Sequence, residues 1–209
     1  ADMDFPAAPC IQDAIQKVHS HGIYGYTLPQ RGLIGAVISY LKEQHDWEVK
    51  ASSIVWLPGL VSALNIACRA YTQPGRGVMT STPIYPPFLD APAFSGRGLK
   101  DIPLLFENDQ YTMDFETIRQ EIRSKTSLYL LCNPHNPVGR CFTKEELQEL
   151  ADICLENNTV ICSDEIHCDL VLDKNAKHTP IATLSPEIEQ QTITLMAPSK
   201  TYNLPGLGF

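Results

Sequence analysis

The chain has 209 residues, of which 44% are hydrophobic and 19% are charged, a composition typical of a globular protein with a sizeable core. Its formal net charge of −8 excludes a strongly basic surface, so we expect no nucleic-acid partner. No apolar stretch approaches the ~20 residues of a membrane span, and the first residues lack the basic start and apolar core of a signal peptide. We therefore expect a cytoplasmic protein with no membrane contact.

The seven cysteines are odd in number, include no CxxC pair and lie mostly in apolar runs. This pattern predicts reduced thiols in a cytosolic protein rather than a disulfide framework. A more specific alternative is a zinc site formed by Cys162, His167 and Cys168, but the spacing of these residues fits no standard ligand pattern. We therefore predict no metal site.

Short apolar, β-branched runs alternate with longer segments of helical periodicity. A Pro-rich opening, helices at residues 11–19 and 33–45 and a Gly/Tyr loop between them form a predicted N-terminal helical arm, residues 1–50. The predicted strands are residues 54–57, 78–81, 99–104, 127–132, 159–163 and 192–196, and the remaining predicted helices are residues 60–71, 85–94, 115–124 and 144–157. Most of these strands are too continuously apolar to have a solvated face, which is typical of a parallel sheet covered on both sides. The alternation predicts the α/β class: a three-layer α/β/α domain, residues 51–209, with a mostly parallel sheet.

Two of these helices begin with capping patterns. Thr143 and Glu146 have the spacing of a capping box, in which each side chain accepts from an amide that the helix leaves unpaired. Asp114 is the predicted N-cap of the helix before it.

Lys200 follows the last predicted strand, in a polar bend with Pro198, Ser199 and Thr201. A lysine in such a place is ordinarily a solvated surface charge. The segment after it is apolar, however, and partial desolvation frees a lysine amine to form an imine. Lys200 is therefore the candidate catalytic residue.

Two polar residues follow earlier predicted strands. Asp164 comes after the apolar run 160–163, and open α/β sheets bind their ligands at strand carboxyl ends. Taken alone it is equally a loop carboxylate or helix cap, and the neighbouring Glu165 offers the same chemistry. Asn136 lies in the run 133–137, whose two X-Pro bonds predict a rigid, extended turn with one bond able to be cis. That turn is equally consistent with a purely structural role.

A lysine, an aspartate and an asparagine, each placed after a strand, together indicate pyridoxal phosphate (PLP). This electron-sink cofactor requires a lysine Schiff base and a carboxylate that keeps its pyridine nitrogen protonated. On this hypothesis Lys200 forms the Schiff base, Asp164 holds the pyridine N–H and Asn136 donates its amide to the phenolate oxygen. His167 can approach the same oxygen or stack beside the ring.

Two weaker features fit the same cofactor. Tyr85 follows the predicted strand 78–81, and its ring can stack on the pyridine face, although a tyrosine there is more often part of a core. Val61 and Ser62 open the predicted helix 60–71, and their free amides can bind a phosphate. Many helices that bind nothing also begin after Pro-Gly.

Essentially end to end, the chain resembles the large domain of fold-type I PLP enzymes of the class I/II aminotransferase superfamily. Within that superfamily it is most similar to the MalY/PatB-type cystathionine β-lyase (C–S lyase) branch, through residues 1–5, 24–26, 133–140, 163–167 and 199–203. Each motif is modest alone, and the combination is specific. The resemblance implies a PLP-dependent β-lyase that cleaves L-cystathionine or related cysteine S-conjugates to a thiol, pyruvate and ammonia.

The resemblance also implies roles for individual residues. Tyr26 would reach the phosphate of the neighbouring subunit, which implies a homodimer. His167 stands where ordinary aminotransferases usually have a tyrosine, which favours the lyase. The cofactor-binding residues implied in this way are Val61, Ser62, Tyr85, Asn136, Asp164, His167, Ser199, Lys200 and, across the dimer, Tyr26.

The sequence departs from the family pattern in two respects. Ala197 occupies a position where many relatives have a phosphate-binding serine or threonine. Family members are also much longer, so we expect this chain to be a piece of a longer polypeptide that lacks the C-terminal small domain with its carboxylate-binding arginine. Such a piece is expected to be inactive alone.

Two alternatives stay open. A PLP-dependent aminotransferase of amino acids shares the early chemistry, and the sequence separates it from a lyase only through His167 and overall similarity. A non-catalytic, PLP-sensing regulatory module would carry a basic helix-turn-helix segment upstream, and none is visible in this sequence.

Overall fold

A computed structural model describes residues 3–123 and 125–207 of the chain. It divides the chain into two compact units, one formed by the residues up to Leu57 together with those from Pro198 onward, the other by Pro58–Ala197. The predicted division into an arm of residues 1–50 and a large domain of residues 51–209 stays a prediction.

The first unit contains two helices close to their predicted positions, α1 (Pro9–His21) and α2 (Arg31–His45). Each ends at a residue with positive φ, Gly22 at 72° and Asp46 at 51°, whose backbone N–H closes the last turn of the helix. Helix α1 contains no buried residue.

The strand predicted at residues 54–57 is wrong. This segment is extended, but none of the described residues pairs with it in a β ladder, and the Val55 side chain is 75% exposed. An apolar, β-branched run predicts an extended backbone, whereas a strand also requires a neighbour to exchange hydrogen bonds with.

The second unit is built on a five-stranded parallel sheet. Its elements in chain order are α3 (Leu60–Tyr71), β1 (Gly77–Thr82), α4 (Pro87–Phe94), β2 (Gly98–Pro103), β3 (Leu105–Glu107), β4 (Gln110–Thr112), α5 (Phe115–Glu121), β5 (Thr126–Cys132), α6 (Lys144–Glu156), β6 (Val160–Asp164), α7 (Pro186–Gln190) and β7 (Thr192–Leu195). The strand order is β2-β1-β5-β6-β7, and every neighbouring pair is parallel. The remaining predicted strands and helices are therefore confirmed within a few residues at their ends, except that the predicted end of α5 at Ser124 lies outside the described residues.

Helices cover both faces of this sheet. Tyr129 and Leu131 of β5 belong to a buried cluster with residues of α5 and α6, such as Ile118 and Leu147. Because side chains alternate along a strand, the intervening Leu130 faces the opposite side, where α3 packs against β5 and β6. All seven residues of β5 are buried. The predicted α/β/α layering is confirmed.

Both predicted caps are present in the structure. The Thr143 hydroxyl accepts from the Glu146 amide at 3.2 Å, and the Glu146 carboxylate accepts from the Thr143 amide at 2.8 Å. Asp114 accepts from the Thr117 amide at 3.0 Å and so caps α5.

The β3–β4 hairpin and the short helix α7 were not predicted. The hairpin turns at Asn108 and Asp109, which both have positive φ, and Asn and Asp are residues that tolerate this conformation. Among the helices of the described residues, none has the length and apolarity that a bilayer crossing requires.

Candidate active site at the carboxyl edge of the sheet

Three of the predicted site residues lie at one edge of the second unit. Strands β1, β5 and β6 are parallel neighbours, so their carboxyl ends meet at the same edge of the sheet. Tyr85 follows β1, Asn136 follows β5 and Asp164 is the last residue of β6. The Tyr85 amide donates to the Asn136 carbonyl at 3.1 Å, which joins the first two loops directly.

The turn that carries Asn136 is tightly held. Both of its X-Pro bonds, Asn133-Pro134 and Asn136-Pro137, are cis, where the sequence suggested one. The Asn136 amide donates to the Cys132 sulfur at 3.5 Å. Asn136 is half-buried, and hydrogen bonds at its amide and its carbonyl connect it to Cys132 and Tyr85.

Arg140 anchors the far end of this turn. Its carbonyl accepts from the His135 amide at 2.6 Å, and its guanidinium makes two hydrogen bonds to the Glu146 carboxylate at 2.9 and 2.7 Å. The same guanidinium donates to the Tyr111 carbonyl of the hairpin. Arg140 therefore ties the Asn136 turn both to the first turn of α6 and to β4.

Asp164 presents a buried carboxyl at the end of β6, where it pairs in register with Cys132 and Leu195. Its Oδ1 accepts from the Ile166 amide at 3.1 Å, so part of its capacity closes the following turn. Burial raises the pKa of the Asp164 carboxyl to about 7, opposed by the hydrogen bond from Ile166 and reinforced by the charge of Glu165. A protonated nitrogen beside such a carboxyl stabilises its ionised form.

Glu165, which the sequence left as an equivalent candidate, is committed elsewhere. Its Oε1 accepts from the Ser163 hydroxyl at 2.8 Å and from the Ile181 amide at 3.3 Å, and its Oε2 lies 2.7 Å from His178 Nε2. The residue is completely buried. Of the two neighbouring carboxylates, Asp164 therefore has the freer oxygen atoms.

The amino end of α3 points toward the same edge. The short connection 72–76 leads from α3 to the start of β1, so α3 ends at the amino edge of the sheet and begins at the carboxyl edge. Gly59 precedes the helix with φ 92°, no side chain caps it, and the first helical hydrogen bond runs from the Ala63 amide to the Gly59 carbonyl. The amides of Val61 and Ser62 thus lack helical acceptors and suit an anion.

His167 lies in the turn after β6 and is half-buried. Its carbonyl accepts from the Leu170 amide at 2.9 Å. Its predicted role, beside the phenolate oxygen or against the ring of the cofactor, stays a prediction.

Lys200, Ser199 and Tyr26 belong to the first unit. Lys200 is half-buried in a turn closed by hydrogen bonds from the Tyr202 amide to the Pro198 carbonyl at 3.0 Å and from the Leu204 amide to the Ser199 carbonyl at 2.7 Å. Ser199 is buried, whereas the Tyr26 side chain is fully exposed.

Asn203 is a residue of the Lys200 turn that the sequence analysis missed. Its side-chain amide donates to the Met3 carbonyl at 2.9 Å and the Phe5 carbonyl at 2.8 Å, and its Oδ1 accepts from the Met3 amide at 3.2 Å. Its φ of 55° fits asparagine, which visits the left-handed region more readily than most residues. Nothing in the spacing of the sequence could have indicated contacts between residues so far apart along the chain.

Comparison with known proteins identifies the family. The family described as aminotransferase class I and II matches residues 2–209 of the chain. The chain belongs to the aminotransferase class I and II family. The predicted superfamily is thereby confirmed, and the match spans all but the first residue.

The most similar proteins include C–S lyases. Cystathionine beta-lyase PatB from Bacillus subtilis (strain 168) is 41% identical over 99% of this chain and 54% of its own length. The solved structure of OvoB has a TM-score of 0.96 at 39% identity and covers 100% of this chain and 55% of that protein. Cystalysin from Treponema denticola, solved with pyridoxal 5′-phosphate, has a TM-score of 0.95 at 35% identity, over 100% of this chain and 53% of its own.

Aminotransferases are also among the relatives. Aspartate aminotransferase from Bacillus sp. (strain YM-2) is 30% identical over 97% of this chain and 52% of its own length. The chain spans about half the length of the curated relatives it matches. The predicted similarity to the PatB-type branch is confirmed.

Proposed function

We propose that the protein carrying this chain is a PLP-dependent carbon–sulfur β-lyase that acts on L-cystathionine or related cysteine S-conjugates. The observation that carries the proposal is the buried Asp164 carboxyl at the end of β6, beside the Asn136 turn, in a member of the aminotransferase class I and II family. Similarity to PatB supports the lyase activity. The products would be a thiol, pyruvate and ammonia.

The donor set of the carboxyl edge fits PLP. Asp164 offers a buried carboxyl, whose pKa burial raises to about 7, as the partner of a protonated pyridine nitrogen. The uncapped start of α3 offers the amides of Val61 and Ser62, with the Ser62 hydroxyl, to a phosphate. The half-buried Asn136 offers an amide N–H to a phenolate oxygen, and the half-exposed ring of Tyr85 offers a flat face.

Bound PLP would supply an electron sink for negative charge that develops at the substrate Cα. Lys200 would hold the cofactor through Nζ, and its amine, once free, would take the proton from the substrate Cα as general base. Asp164 would keep a proton on the pyridine nitrogen of the cofactor. Ser199 supports the bend that presents Lys200.

His167 is the residue that favours the lyase over an aminotransferase. A lyase releases a thiol from the substrate Cβ, whereas an aminotransferase yields a keto acid and passes the amino group to an acceptor. We propose that His167, half-buried in the turn after β6, stands where ordinary aminotransferases have a tyrosine and that this difference favours the lyase. The aminotransferase relatives favour the second candidate function, amino-acid transamination.

Turnover of L-cystathionine by the PLP-loaded, complete gene product separates the two candidates. We expect pyruvate and a free thiol in equal amounts, with ammonia released. Production of a keto acid that depends on an added amino-group acceptor, without thiol release, would assign the aminotransferase instead. A Lys200→Ala variant is the matched control, and the loss of its general base should reduce turnover by roughly 10²–10⁴-fold.

We further propose a cytoplasmic homodimer. Tyr26 is fully exposed, and the apolar Ile15 and Val18 of α1 are about half exposed or more, which supports a surface covered by a second subunit.

The seven cysteines are all free, which supports the cytoplasm as a reducing compartment.

A further inference from the structure

The loops that carry Tyr85 and Asn136 leave the sheet at the same edge, but the sheet does not set the separation of these two residues. In the described part of the chain, the ladder between β1 and β5 ends with the pair Thr80 and Leu130. Tyr85 and Asn136 both lie beyond that pair, in loops without ladder hydrogen bonds between them. Contacts between the loops themselves must therefore fix how far apart the two side chains are held.

Two hydrogen bonds join these loops, counting residues 3–123 and 125–207. In one, the Tyr85 amide donates to the Asn136 carbonyl at 3.1 Å. The other involves a side chain, since His135 Nε2 lies 2.9 Å from the Pro83 carbonyl oxygen. Because a carbonyl can only accept, Nε2 carries the proton of this hydrogen bond. His135 therefore connects its own turn to the loop that leads to Tyr85.

The His135 side chain is dry and packed against the core. The residue is 2% exposed, and its ring lies edge-on to the ring of Phe142, with the centroids 5.6 Å apart. Burial lowers the pKa of His135, opposed by the hydrogen bond with the Pro83 carbonyl, so the imidazole is neutral near neutral pH. A neutral imidazole has a single N–H, and in His135 that N–H is committed to Pro83.

The backbone of His135 is also held on both sides. Its amide donates to the Arg140 carbonyl at 2.6 Å, and its carbonyl accepts from the Gly139 amide at 2.8 Å. Arg140 in turn binds the Glu146 carboxylate in the first turn of α6 through two hydrogen bonds. The imidazole thus reaches Pro83 from a turn that α6 anchors, and it can hold the Tyr85 loop against a fixed support.

We propose that His135 is a positioning residue for the cofactor site. It keeps the Tyr85 loop at a fixed separation from Asn136, so that the tyrosine ring and the asparagine amide contact one bound PLP molecule together. This inference rests on the proposed function, in which Tyr85 lies on the pyridine ring and Asn136 donates to the phenolate oxygen. His135 acts through these two residues, because its own N–H is engaged with Pro83.

Amide hydrogen exchange in the PLP-free, complete gene product tests the link between the loops. His135→Leu removes the N–H, so the Tyr85 amide should exchange about fivefold or more faster, with exchange in β5 unchanged. His135→Asn should behave in the same way, because its shorter amide does not reach the Pro83 carbonyl, and it decides the test if the leucine variant does not fold. His135→Gln is the matched rescue, since its side-chain amide can place an N–H near the position of Nε2.

Titration of the same proteins with PLP tests the positioning role. His135→Leu and His135→Asn should raise the Kd for PLP about fivefold or more and weaken the visible circular dichroism of the bound cofactor, which reports how asymmetrically its ring is held. His135→Gln should stay close to the wild type in both measurements. Ser185→Ala, which removes the side-chain cap of α7, loses stability without touching these loops and should bind PLP like the wild type.

The outcomes separate this proposal from the proposed function. If the wild type binds PLP but the leucine and asparagine variants keep its Tyr85 exchange rate, Kd and dichroism, the role of His135 is overturned and the proposed function stands. An equal loss of affinity in Ser185→Ala would also overturn the role, because general destabilisation would then explain the effect. Failure of the wild type to bind PLP would contradict the proposed function together with the role of His135.

Discussion

Asp164 illustrates how one buried carboxyl makes stability depend on pH. Its folded-state pKa of about 7 lies above the ordinary value of 3.8, so the folded protein binds this proton more tightly than the unfolded chain does. The associated stability is complete below about pH 3.8 and is lost as the pH rises through about 7.

We therefore predict that Asp164→Asn flattens the pH dependence of the free energy of unfolding in the PLP-free protein. Urea denaturation of the two proteins at a series of pH values between these limits measures the effect. The wild type should lose stability with rising pH relative to the variant. Parallel curves would show that Asp164 is ionised throughout and does not hold the proton that we assign to it.

His178 has a dependence of the same sign in a higher pH range. The stability that its raised pKa contributes is present below about pH 6.5 and is lost as the pH rises through about 9. His178→Gln leaves Glu165 buried without a cation, so we expect it to destabilise the protein by roughly 3–5 kcal/mol near neutral pH. The difference between the variant and the wild type should shrink above about pH 9, and a difference independent of pH would contradict the assigned charge.

Helix α6 shows how local sequence rules fix an element beside the site. Its capping box joins Thr143 to Glu146, and Glu146 also receives Arg140 from the end of the Asn136 turn. We predict that Thr143→Ala lowers the free energy of unfolding by about 1 kcal/mol, because an amide of the first turn loses its acceptor. Thr143→Ser keeps the hydroxyl and should stay close to the wild type in the same urea titration.

Hydrogen bonds to residues far away in the sequence hold the Lys200 turn. Asn203→Gly keeps the positive φ but removes the three side-chain hydrogen bonds to Met3 and Phe5. We predict faster amide hydrogen exchange at residues 3–5 and in the Lys200 turn, with exchange in β5 unchanged. Unaltered exchange at residues 3–5 would show that this asparagine does not hold the segment.

The elements with a strong local pattern were predictable from the sequence. The continuous apolar run of β5, the periodicity of α3 and the capping box of α6 each fix an element within a few residues. The strand prediction for residues 54–57 failed because a strand must pair with a neighbouring strand, which the local sequence does not specify. The β3–β4 hairpin was missed because each of its strands has only three residues.

The candidate site was likewise predictable only in part from the sequence. The placement of Asn136 and Asp164 followed from the rule that ligands bind where parallel strands end. The engagement of Glu165 with His178, and of Asn203 with Met3, depends on residues far apart in the chain, and a single sequence does not contain that information.

At the scale of the whole molecule, the chain matches its family along its length and spans about half of its curated relatives. The proposed sharing of the site between two subunits is a property to be tested in the complete gene product. Lys200 and Tyr26 are the two residues that make such a test possible, because we assign them to one site but to different subunits.

We predict that dimers formed by mixing Lys200→Ala and Tyr26→Ala chains recover activity that neither variant has alone. If Tyr26 acts across the dimer, each mixed dimer contains one intact site, so random mixing should give about a quarter of the wild-type activity. If Tyr26 acts within its own subunit, mixing produces no intact site and no recovery. The unmixed variants are the matched controls.

We propose that a single amine, that of Lys200, attaches PLP. Borohydride reduction of the PLP-loaded protein, followed by peptide mapping, tests it most directly. We predict that the reduced cofactor is found on the peptide that contains Lys200, and that Lys200→Ala abolishes this label while other lysines stay unmodified. A label on any other lysine, or equal labelling of the Lys200→Ala variant, would contradict the assignment.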